Sequence, residues 1–499
     1  MSATSNTGGG VFGQRGKFGG RGKWRWGPRF LAVILAVHAA FGVTRSALAS
    51  SGGPQLRVSP NGRYLITAEG HPFFYLGDTA WELFHRLNRE EAEMYLADRA
   101  GKGFTVIQAV ALAELDGLHT PNAYGHTPLL EDDPTRPAVK EGPENDYWDH
   151  VDWVVQRAEE LGLFIGMLPT WGDKWNKKWG VGPEIFTPEN ARTYGRWLGS
   201  RYRDKPIIWI LGGDRNPETP RHLAVIRAMA EGLREGDGGR HLLTYHPQGG
   251  SHSAQWFHAD DWLDFHMFQS GHGAFHIPNF RTTLALRELQ PIKPVLDGEP
   301  RYEDHPVNWR GDTGWFDDWD VRQAAYWSML SGACGHTYGN HNIWQMFEPP
   351  RKPISHARTP WKEALRHPGS KQMGLMRSIL TQRPYHKLVP DQSLIRGSEL
   401  EGADHRRAAR AEDGSFAIVY LPTGGEVTVQ WEPAGGREIR VWWFDPRNGQ
   451  VRPAGDRKWE RTMPFSAPGK GRGNDWLLIL DPVSADLPPL RQVEINEGN

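Results

Sequence analysis

Continuous runs of apolar residues recur along the chain, and each run ends in polar or aromatic residues. Eight of them follow one another, at 73–81, 105–112, 163–171, 207–216, 242–247, 262–270, 294–303 and 335–344. Runs that are apolar at nearly every position, rather than at every second one, are typical of strands buried on both faces of a parallel sheet. The pattern therefore predicts eight buried strands.

Segments with helical periodicity separate these predicted strands. Residues 148–161 repeat apolar side chains at a spacing of three and four and stop at Gly162, as an amphipathic helix does. Helix-start signals precede other segments, such as Thr187 followed by Pro188. Strand and helix alternate through eight units, which predicts a (β/α)8 TIM barrel of the α/β class. The spacer at 271–293 leaves room only for a short helix.

The two ends of the mature chain have a different pattern. From residue 385 onward, short alternating segments are joined by Pro, Gly and Asn turns, which predicts a C-terminal antiparallel β-sandwich accessory domain over 385–499. Residues 56–73 alternate around Asn61 and Gly62, a pair that favours a tight hairpin turn. We expect this hairpin to close one end of the barrel, within a domain that spans 50–384.

Residues 1–49 have the pattern of a secretory signal peptide. Six basic residues and no acidic residue precede an apolar run at 30–43, and the small-residue sequence 47–49 follows it. The run is shorter than the roughly 20 residues that a membrane-spanning helix needs. We expect cleavage after Ala49 and export to the periplasm or the exterior of a bacterium. An uncleaved membrane anchor is the alternative.

Composition narrows the range of partners. A formal net charge of −1 gives no reason to expect nucleic acid or, once the signal is removed, a membrane surface. The chain has 23 tryptophans, many of them beside Gly, Asp or His. Because an indole ring offers a flat apolar face and one hydrogen-bond donor, this surplus fits either carbohydrate binding or a β-rich core.

The ends of the predicted strands carry the candidate chemistry, because active sites of (β/α)8 barrels lie at the C-terminal ends of their strands. Asp214 ends the fourth predicted strand and Glu299 the seventh, half a barrel turn apart. Two facing carboxyls, one protonated and one ionised, are what the cleavage of a glycosidic bond needs. For any single residue, a helix cap or an ion pair is the structural alternative. The candidates for substrate binding are Asp78, Trp81, Gln108, Trp171, His246, Gln269, Asp297, His336 and Tyr338.

Neighbouring residues extend this hypothesis. Arg215 follows one candidate acid and Arg301 lies two residues beyond the other, so either arginine could keep a carboxylate ionised. The polar loop 173–180 could form part of the pocket wall. The single cysteine, Cys334, allows no internal disulfide and lies in a small-residue run where we expect it to be packed.

Three stretches closely resemble one known family. They are "FFYLGDTAWELF" at 73–84, "WILGGDRNP" at 209–217 and "PVLDGEPRYE" at 294–303. They are similar to motifs of the bacterial apiosidase-like glycoside hydrolases, and the resemblance covers about residues 55–490. It implies a barrel catalytic domain followed by a domain named for collagen binding. It also implies that Asp214 is the acid/base and Glu299 the nucleophile of a retaining double displacement.

The resemblance implies a substrate class as well: an oligosaccharide or polysaccharide of the plant cell wall, with a pectic glycan that releases apiose as the nearest example. Other classes find less support in the sequence. No phosphate-binding or dinucleotide-binding glycine motif is present, and the histidine spacings do not match a zinc motif, so we expect neither a cofactor nor a metal. The main alternative is a non-catalytic carbohydrate-binding protein, because the C-terminal sandwich resembles an accessory module.

Overall fold

The computed structural model of the protein describes residues 54–142, 145–397 and 400–495. The predicted signal peptide lies outside these ranges and remains a prediction. Within these ranges, none of the helices has the length and apolar character of a transmembrane segment.

A small antiparallel sheet begins the described chain, and its strands are β1 (Leu56–Val58), β2 (Leu65–Thr67) and β3 (Pro72–Phe73). Leu56 and Leu65 pack in one apolar cluster with Tyr75 and Phe164, which begin two of the barrel strands described next. The hairpin therefore covers the N-terminal end of the barrel interior.

Eight parallel strands follow, and they form a ring. They are β4 (Tyr75–Thr79), β5 (Val106–Val110), β6 (Phe164–Leu168), β7 (Ile207–Leu211), β8 (Leu243–Tyr245), β9 (His266–Phe268), β10 (Val295–Asp297) and β11 (Gly335–Tyr338). Six pair in the order β11-β4-β5-β6-β7-β8, and β9 pairs with β10. The amides of Asp264 and Cys334 donate to the carbonyls of Leu243 and Val295, both at 2.9 Å, and join the two sheets. The predicted (β/α)8 barrel is confirmed.

Helices connect the barrel strands. They are α1 (Leu83–Arg86), α2 (Arg89–Gly101), α3 (Tyr147–Glu160), α4 (Pro188–Arg201), α5 (Pro220–Asp237), α6 (Ala254–Phe257), α7 (Asn279–Arg287), α8 (Asp318–Met329), α9 (His341–Trp344), α10 (Trp361–Ala364) and α11 (Pro368–Leu380). Thr187 caps α4 through the amide of Asn190, with Pro188 in the first turn as predicted. In the 271–293 spacer, α7 has only nine residues.

Side chains of the barrel strands alternate between two environments. Tyr75, Val106 and Ile208 face the barrel interior, whereas Leu76 and Ile107, next to them in sequence, pack outward against the helices. This alternation, which follows from the two-residue repeat of a strand, decides which polar residues near the strand ends reach the site.

The C-terminal part is built from two antiparallel sheets. Its strands are β12 (Leu388–Pro390), β13 (Ile395–Arg396), β14 (Arg407–Ala411), β15 (Ala417–Leu421), β16 (Gly424–Gln430), β17 (Glu438–Phe444), β18 (Val451–Lys458), β19 (Thr462–Lys470) and β20 (Trp476–Pro482). The sheet orders are β12-β14-β15-β20-β17-β18 and β13-β16-β19. Val419 and Leu478 pack against Val427 between the two sheets, which confirms the predicted sandwich.

The outer face of the larger sheet packs on the barrel helices. Ile418 and Ile479 lie in the same apolar cluster as Leu375 of α11. The rings of Tyr326 on α8 and Tyr420 on β15 stack with their centroids 4.8 Å apart. We call this contact between the barrel and the sandwich the seam.

Candidate active site

Asp214 lies where β7 leaves the barrel, after two glycines. The φ angles of Gly212 and Gly213 are 102° and 77°, and that of Asp214 itself is 54°. A Cβ atom at Gly212 would lie 2.3 Å from the carbonyl oxygen of His246, and one at Gly213 would lie 2.6 Å from the amide nitrogen of Gly172. The glycines therefore let two neighbouring loops approach closely, and they turn Asp214 toward the barrel mouth.

Glu299 follows β10, and two histidines contact its carboxylate. His272 Nε2 lies 3.0 Å from Oε1, and His246 Nε2 lies 3.0 Å from Oε2. The backbone N–H of Asp214 donates to His246 Nδ1 at 3.1 Å. In neutral His246 this hydrogen bond leaves the ring proton on Nε2, which faces Glu299. His246 therefore links the backbone of Asp214 to the carboxylate of Glu299.

The two carboxyls ionise in different pH ranges. Burial raises the pKa of Asp214 to about 7, with a further contribution from the negative charge of Glu299. Arg215 opposes this shift, but its Nη1 lies 3.4 Å from Oδ2. Burial would also raise the pKa of Glu299, yet the hydrogen bonds from His246 and His272 outweigh it and lower the pKa to about 2. Asp214 can thus donate a proton while Glu299 is ionised.

A cavity of 480 Å³ opens beside both carboxyls, and we call it the aromatic cavity. Besides Asp214 and Glu299, its walls include the rings of Trp81, Trp171, Trp179, Tyr302, Trp309 and Trp344. A second cavity of 630 Å³, the glycine-rich cavity, is lined by Gly249, Gly250, Gly271 and Gly273 together with Gln248, Gln269 and Asn308. Asp214, Trp179 and Trp309 belong to both walls. The two cavities therefore meet at Asp214, the candidate proton donor.

Several residues predicted from the sequence reach this region. Trp81 and Trp171 line the aromatic cavity with their ring centroids 5.3 Å apart. Gln269 lines the glycine-rich cavity, and its hydrogen bond to Asp214 lowers the pKa of that acid slightly against the larger effect of burial. The polar loop 173–180 contributes Trp179, whose side chain is 61% exposed at the mouth.

Asp78 and Tyr338 lie away from the cavities, and we remove them from the candidate site. They are partners in the β11–β4 register and face outward to the helices. The carboxylate of Asp78 accepts hydrogen bonds from Arg99 Nε at 2.5 Å and from the hydroxyl of Tyr95 at 2.6 Å. The hydroxyl of Tyr338 donates to Glu303. Both polar groups therefore have structural partners.

His336 and Asp297 also point outward. His336 is in register with outward-facing Leu76, and burial lowers the pKa of its ring to about 3. Asp297 accepts hydrogen bonds from the hydroxyl of Ser270 at 2.7 Å and from Asn279 Nδ2 at 3.0 Å. Burial nevertheless raises the pKa of Asp297 to about 6. Asp297 therefore lies at the predicted end of the barrel but on the wrong face of its strand, whereas His336, the second residue of β11, lies on the wrong face and also below the strand end.

Gln108 and Arg301 have supporting positions. Gln108 faces the barrel interior below the cavities, where its Nε2 donates to the carbonyl of Gly298 at 3.1 Å. Arg301 lies over the ring of Trp327 and donates to Gln323 at 3.2 Å. Of the two predicted arginines, Arg215 is therefore the one beside a candidate catalytic carboxyl.

The sequence patterns did not select every residue of the site. His272 lies in the 271–293 spacer, and Glu114, Trp309 and Trp344 lie outside the three family motifs. Tyr302 lies inside the motif at 294–303 but was not among the candidates. For His272 the available signal was the density of histidine and glycine in "QSGHGAFH" at 269–276. The ring of His272 is held by a stack on His305, with centroids 4.1 Å apart.

Among the residues that the structure describes, no three His, Cys, Asp or Glu side chains come together as a metal site would require. Cys334 is buried, and burial raises the pKa of its thiol to about 12.

Glycoside hydrolases use this combination of a (β/α)8 barrel and two cavity carboxyls whose pKa values differ widely. Comparison with known proteins gives the family. The family model described as "Apiosidase-like, catalytic domain" matches residues 59–387, and the chain belongs to this family of glycosidases. A second model, whose description names a collagen-binding domain of a collagenase, matches residues 389–481.

Solved structures agree with this assignment. A structure titled "Glycoside hydrolase" is 34% identical, with a TM-score of 0.80, over 86% of this chain and 96% of its own. A glycoside hydrolase family 5 structure from Bacteroides vulgatus ATCC 8482 is 32% identical, with a TM-score of 0.81, over 87% of this chain and 95% of its own. None of the curated proteins compared with the chain matches it significantly.

Proposed function

We propose that the protein is a retaining glycosidase with Glu299 as nucleophile and Asp214 as acid/base. The observation that supports this most is that one cavity holds both carboxyls and that Asp214 keeps its proton to a much higher pH than Glu299. Glu299 attacks the anomeric carbon while Asp214 gives its proton to the departing oxygen, and a glycosyl–enzyme ester forms. Asp214 then takes a proton from water, whose oxygen attacks the same carbon and releases Glu299.

The surrounding residues serve these steps. His246 and His272 orient Glu299 and keep it ionised, so that an oxygen lone pair is available for attack. The rings of Trp81 and Trp171 provide apolar faces on which a sugar ring can stack. We assign the glycone to the aromatic cavity, and the glycine-rich cavity then lies on the leaving-group side of Asp214.

We further propose a pectic glycan of the plant cell wall as substrate and apiose as the released sugar. This rests on the family assignment and on the motifs around Asp78, Asp214 and Glu299. The N-terminal pattern supports export to the place where such a polymer would be met.

The test is to incubate the purified protein with a panel of pectic oligosaccharides and follow the released sugar by NMR. We expect a single sugar, apiose, whose first-formed anomer has the configuration of the substrate. An inverted anomer would overturn the double displacement, and a different sugar would overturn the apiose assignment. Binding without any cleavage would favour the alternative, a non-catalytic carbohydrate-binding protein.

The protonation of Asp214 gives a second readout. Because the acid must carry its proton, kcat/KM should fall as the pH rises through about 7. In Asp214→Ala, hydrolysis of the oligosaccharide should drop by about 10²–10⁴. An aryl glycoside, whose leaving group needs little protonation, should still form the ester intermediate, and azide should restore turnover. If azide has no effect, Asp214 is not the acid/base.

A further inference from the structure

A third carboxyl, that of Glu114, lines the aromatic cavity. It belongs to the segment that follows β5, and backbone contacts hold this segment in place. The amide of Ala111 donates to the carbonyl of Leu168 at 2.8 Å, and the amide of Trp171 donates to the carbonyl of Leu112 at 3.0 Å. Lys174 Nζ donates to the carbonyl of Ala113. The backbone therefore presents Glu114 to the cavity from a fixed position.

Glu114 differs from the other carboxyls around it in having no partner. Glu82 contacts His85 at 2.6 Å, and Asp173 contacts Lys174 at 2.7 Å. Among the described residues, no hydrogen bond or ion pair reaches the carboxyl of Glu114. Glu114 is half-buried, and its carboxyl keeps its hydrogen-bonding capacity free for a group that enters the cavity. A ligand in the cavity would supply the missing hydrogen bonds.

The surroundings of Glu114 favour its neutral form. Burial raises the pKa of Glu114 well above its usual range, and the negative charges of Glu82, Asp173 and Asp214 raise it further, while Arg215 opposes them. A neutral carboxyl has one O–H donor and a carbonyl acceptor. One sugar hydroxyl can accept a hydrogen bond from this O–H group, and a second hydroxyl can donate one to the carbonyl oxygen.

We propose that Glu114 binds the hydroxyls of the glycone and selects an uncharged sugar over a uronate. This inference rests on the proposed function and adds a specificity residue to it. The aromatic cavity has Glu114, Asp214 and Glu299 in its wall against one cation, Arg215. Glu299 is ionised, so the carboxylate of a uronate would share the cavity with a like charge and be repelled by it.

Paired variants of Glu114 test the proposal. The probes are the oligosaccharide cleaved by the wild type and 4-nitrophenyl glycosides of neutral sugars and of uronic acids. Glu114→Ala should lower kcat/KM about 100-fold, whereas Glu114→Gln, with an acceptor and donors in the same shape, should stay within about fivefold. Because Glu114→Gln replaces one neutral group by another, the pH near 7 at which kcat/KM falls should be the same as in the wild type.

Asp116→Asn is the matched control, because this exposed residue lies two positions away and contacts His119 at 2.8 Å instead of the cavity. It should keep wild-type kcat/KM, and unfolding curves should show that every variant is folded. Three results would overturn the proposal: near-wild-type activity of Glu114→Ala, equal damage in both Glu114 variants, or uronides cleaved as fast as neutral glycosides. Wild-type activity in Glu299→Gln would instead overturn the proposed function.

Discussion

The seam and the aromatic cavity both bury carboxyl groups, but only at the seam does each of these carboxyls have an arginine partner. At the seam, Asp475 accepts two hydrogen bonds from Arg322, at 2.9 and 2.8 Å. Asp481 accepts two from Arg383 and another from Trp442 Nε1 at 2.8 Å. Each of these carboxylates is matched by a guanidinium in fork geometry, which is the arrangement that stabilises a buried ion pair.

In the aromatic cavity the matching is incomplete. The nearest cation of Asp214 is 3.4 Å away, and Glu114 has no partner among the described residues. Burial then dominates and raises the pKa of both groups. A matched carboxylate thus holds two parts of the fold together, whereas an unmatched one keeps a proton that chemistry or a ligand can use. The following variants test this division.

The largest expected effect is on activity, in Glu299→Gln. The amide cannot attack the anomeric carbon, so we expect kcat to fall by at least about 10⁴-fold, which is about 5.5 kcal/mol in the activation free energy. The free energy of unfolding should fall by about 1–3 kcal/mol, because the fold favours the ionised form of Glu299 and the amide weakens its two hydrogen bonds with histidine. Initial rates on the cleaved oligosaccharide and urea unfolding measure the two quantities.

Glu303→Gln is the control for this variant. Glu303 is a buried glutamate four residues further on, where Tyr338 and the amide of Gly369 contact it outside both cavities. Its substitution should change kcat by no more than a few-fold. A similar loss of activity in both variants would mean that the loop after β10, rather than the nucleophile, was damaged.

The next effect is on stability, in Asp475→Ala at the seam. The change leaves the buried guanidinium of Arg322 without its bidentate partner, so the free energy of unfolding should fall by about 3–5 kcal/mol. The kcat of the surviving folded enzyme at low temperature should be near that of the wild type. Denaturant unfolding followed by tryptophan fluorescence measures the loss.

An exposed ion pair provides the contrast. Arg310 and Asp312 lie 2.9 Å apart with side chains 62% and 70% exposed. Asp312→Ala should therefore leave the urea midpoint of unfolding essentially unchanged. If Asp475→Ala costs no more than Asp312→Ala, the seam ion pairs do not hold the barrel and the sandwich together.

A smaller effect is expected from His272→Ala. Without one of the two hydrogen bonds that oppose burial, the pKa of Glu299 should rise from about 2. The acidic limb of kcat/KM should move to higher pH, and the plateau should fall about 10–100-fold. His276→Ala, in the same loop but in contact with Gln323 at 2.9 Å, should leave the limb unchanged. An unmoved limb in His272→Ala would show that Glu299 does not depend on this histidine.

The difference between seam and cavity also explains what could be predicted from the sequence. Eight apolar runs and the later alternating segments were enough for the barrel and the sandwich, because burial on two faces or on one leaves a direct mark on the pattern. Asp214 and Glu299 could be chosen because they follow strands four and seven.

Which face a strand-end residue occupies was harder to predict. Asp78, Asp297 and Tyr338 lie near the C-terminal ends of their strands but point to the helices, since a shift by one position reverses the side of a strand. His336 points the same way and lies one repeat of the pleat below them. A run that is apolar at nearly every position carries no mark of its inner and outer faces. His272 and Glu114 lie on loops, where the position of a side chain depends on contacts distant in sequence.

The smallest effect concerns the stability that the folded protein loses when Asp214 ionises. The pKa of Asp214 is about 7 in the folded protein against an ordinary value of 3.8. Between these values the unfolded chain loses the proton and the folded protein keeps it, so the free energy of unfolding falls as the pH rises. Asp214→Asn removes that loss. Its free energy of unfolding should exceed that of the wild type by about 1–2 kcal/mol at pH 8 and equal it near pH 3.5. Urea unfolding at both values measures this, and an equal gain at both would contradict it, because only ionisation makes the gain depend on pH.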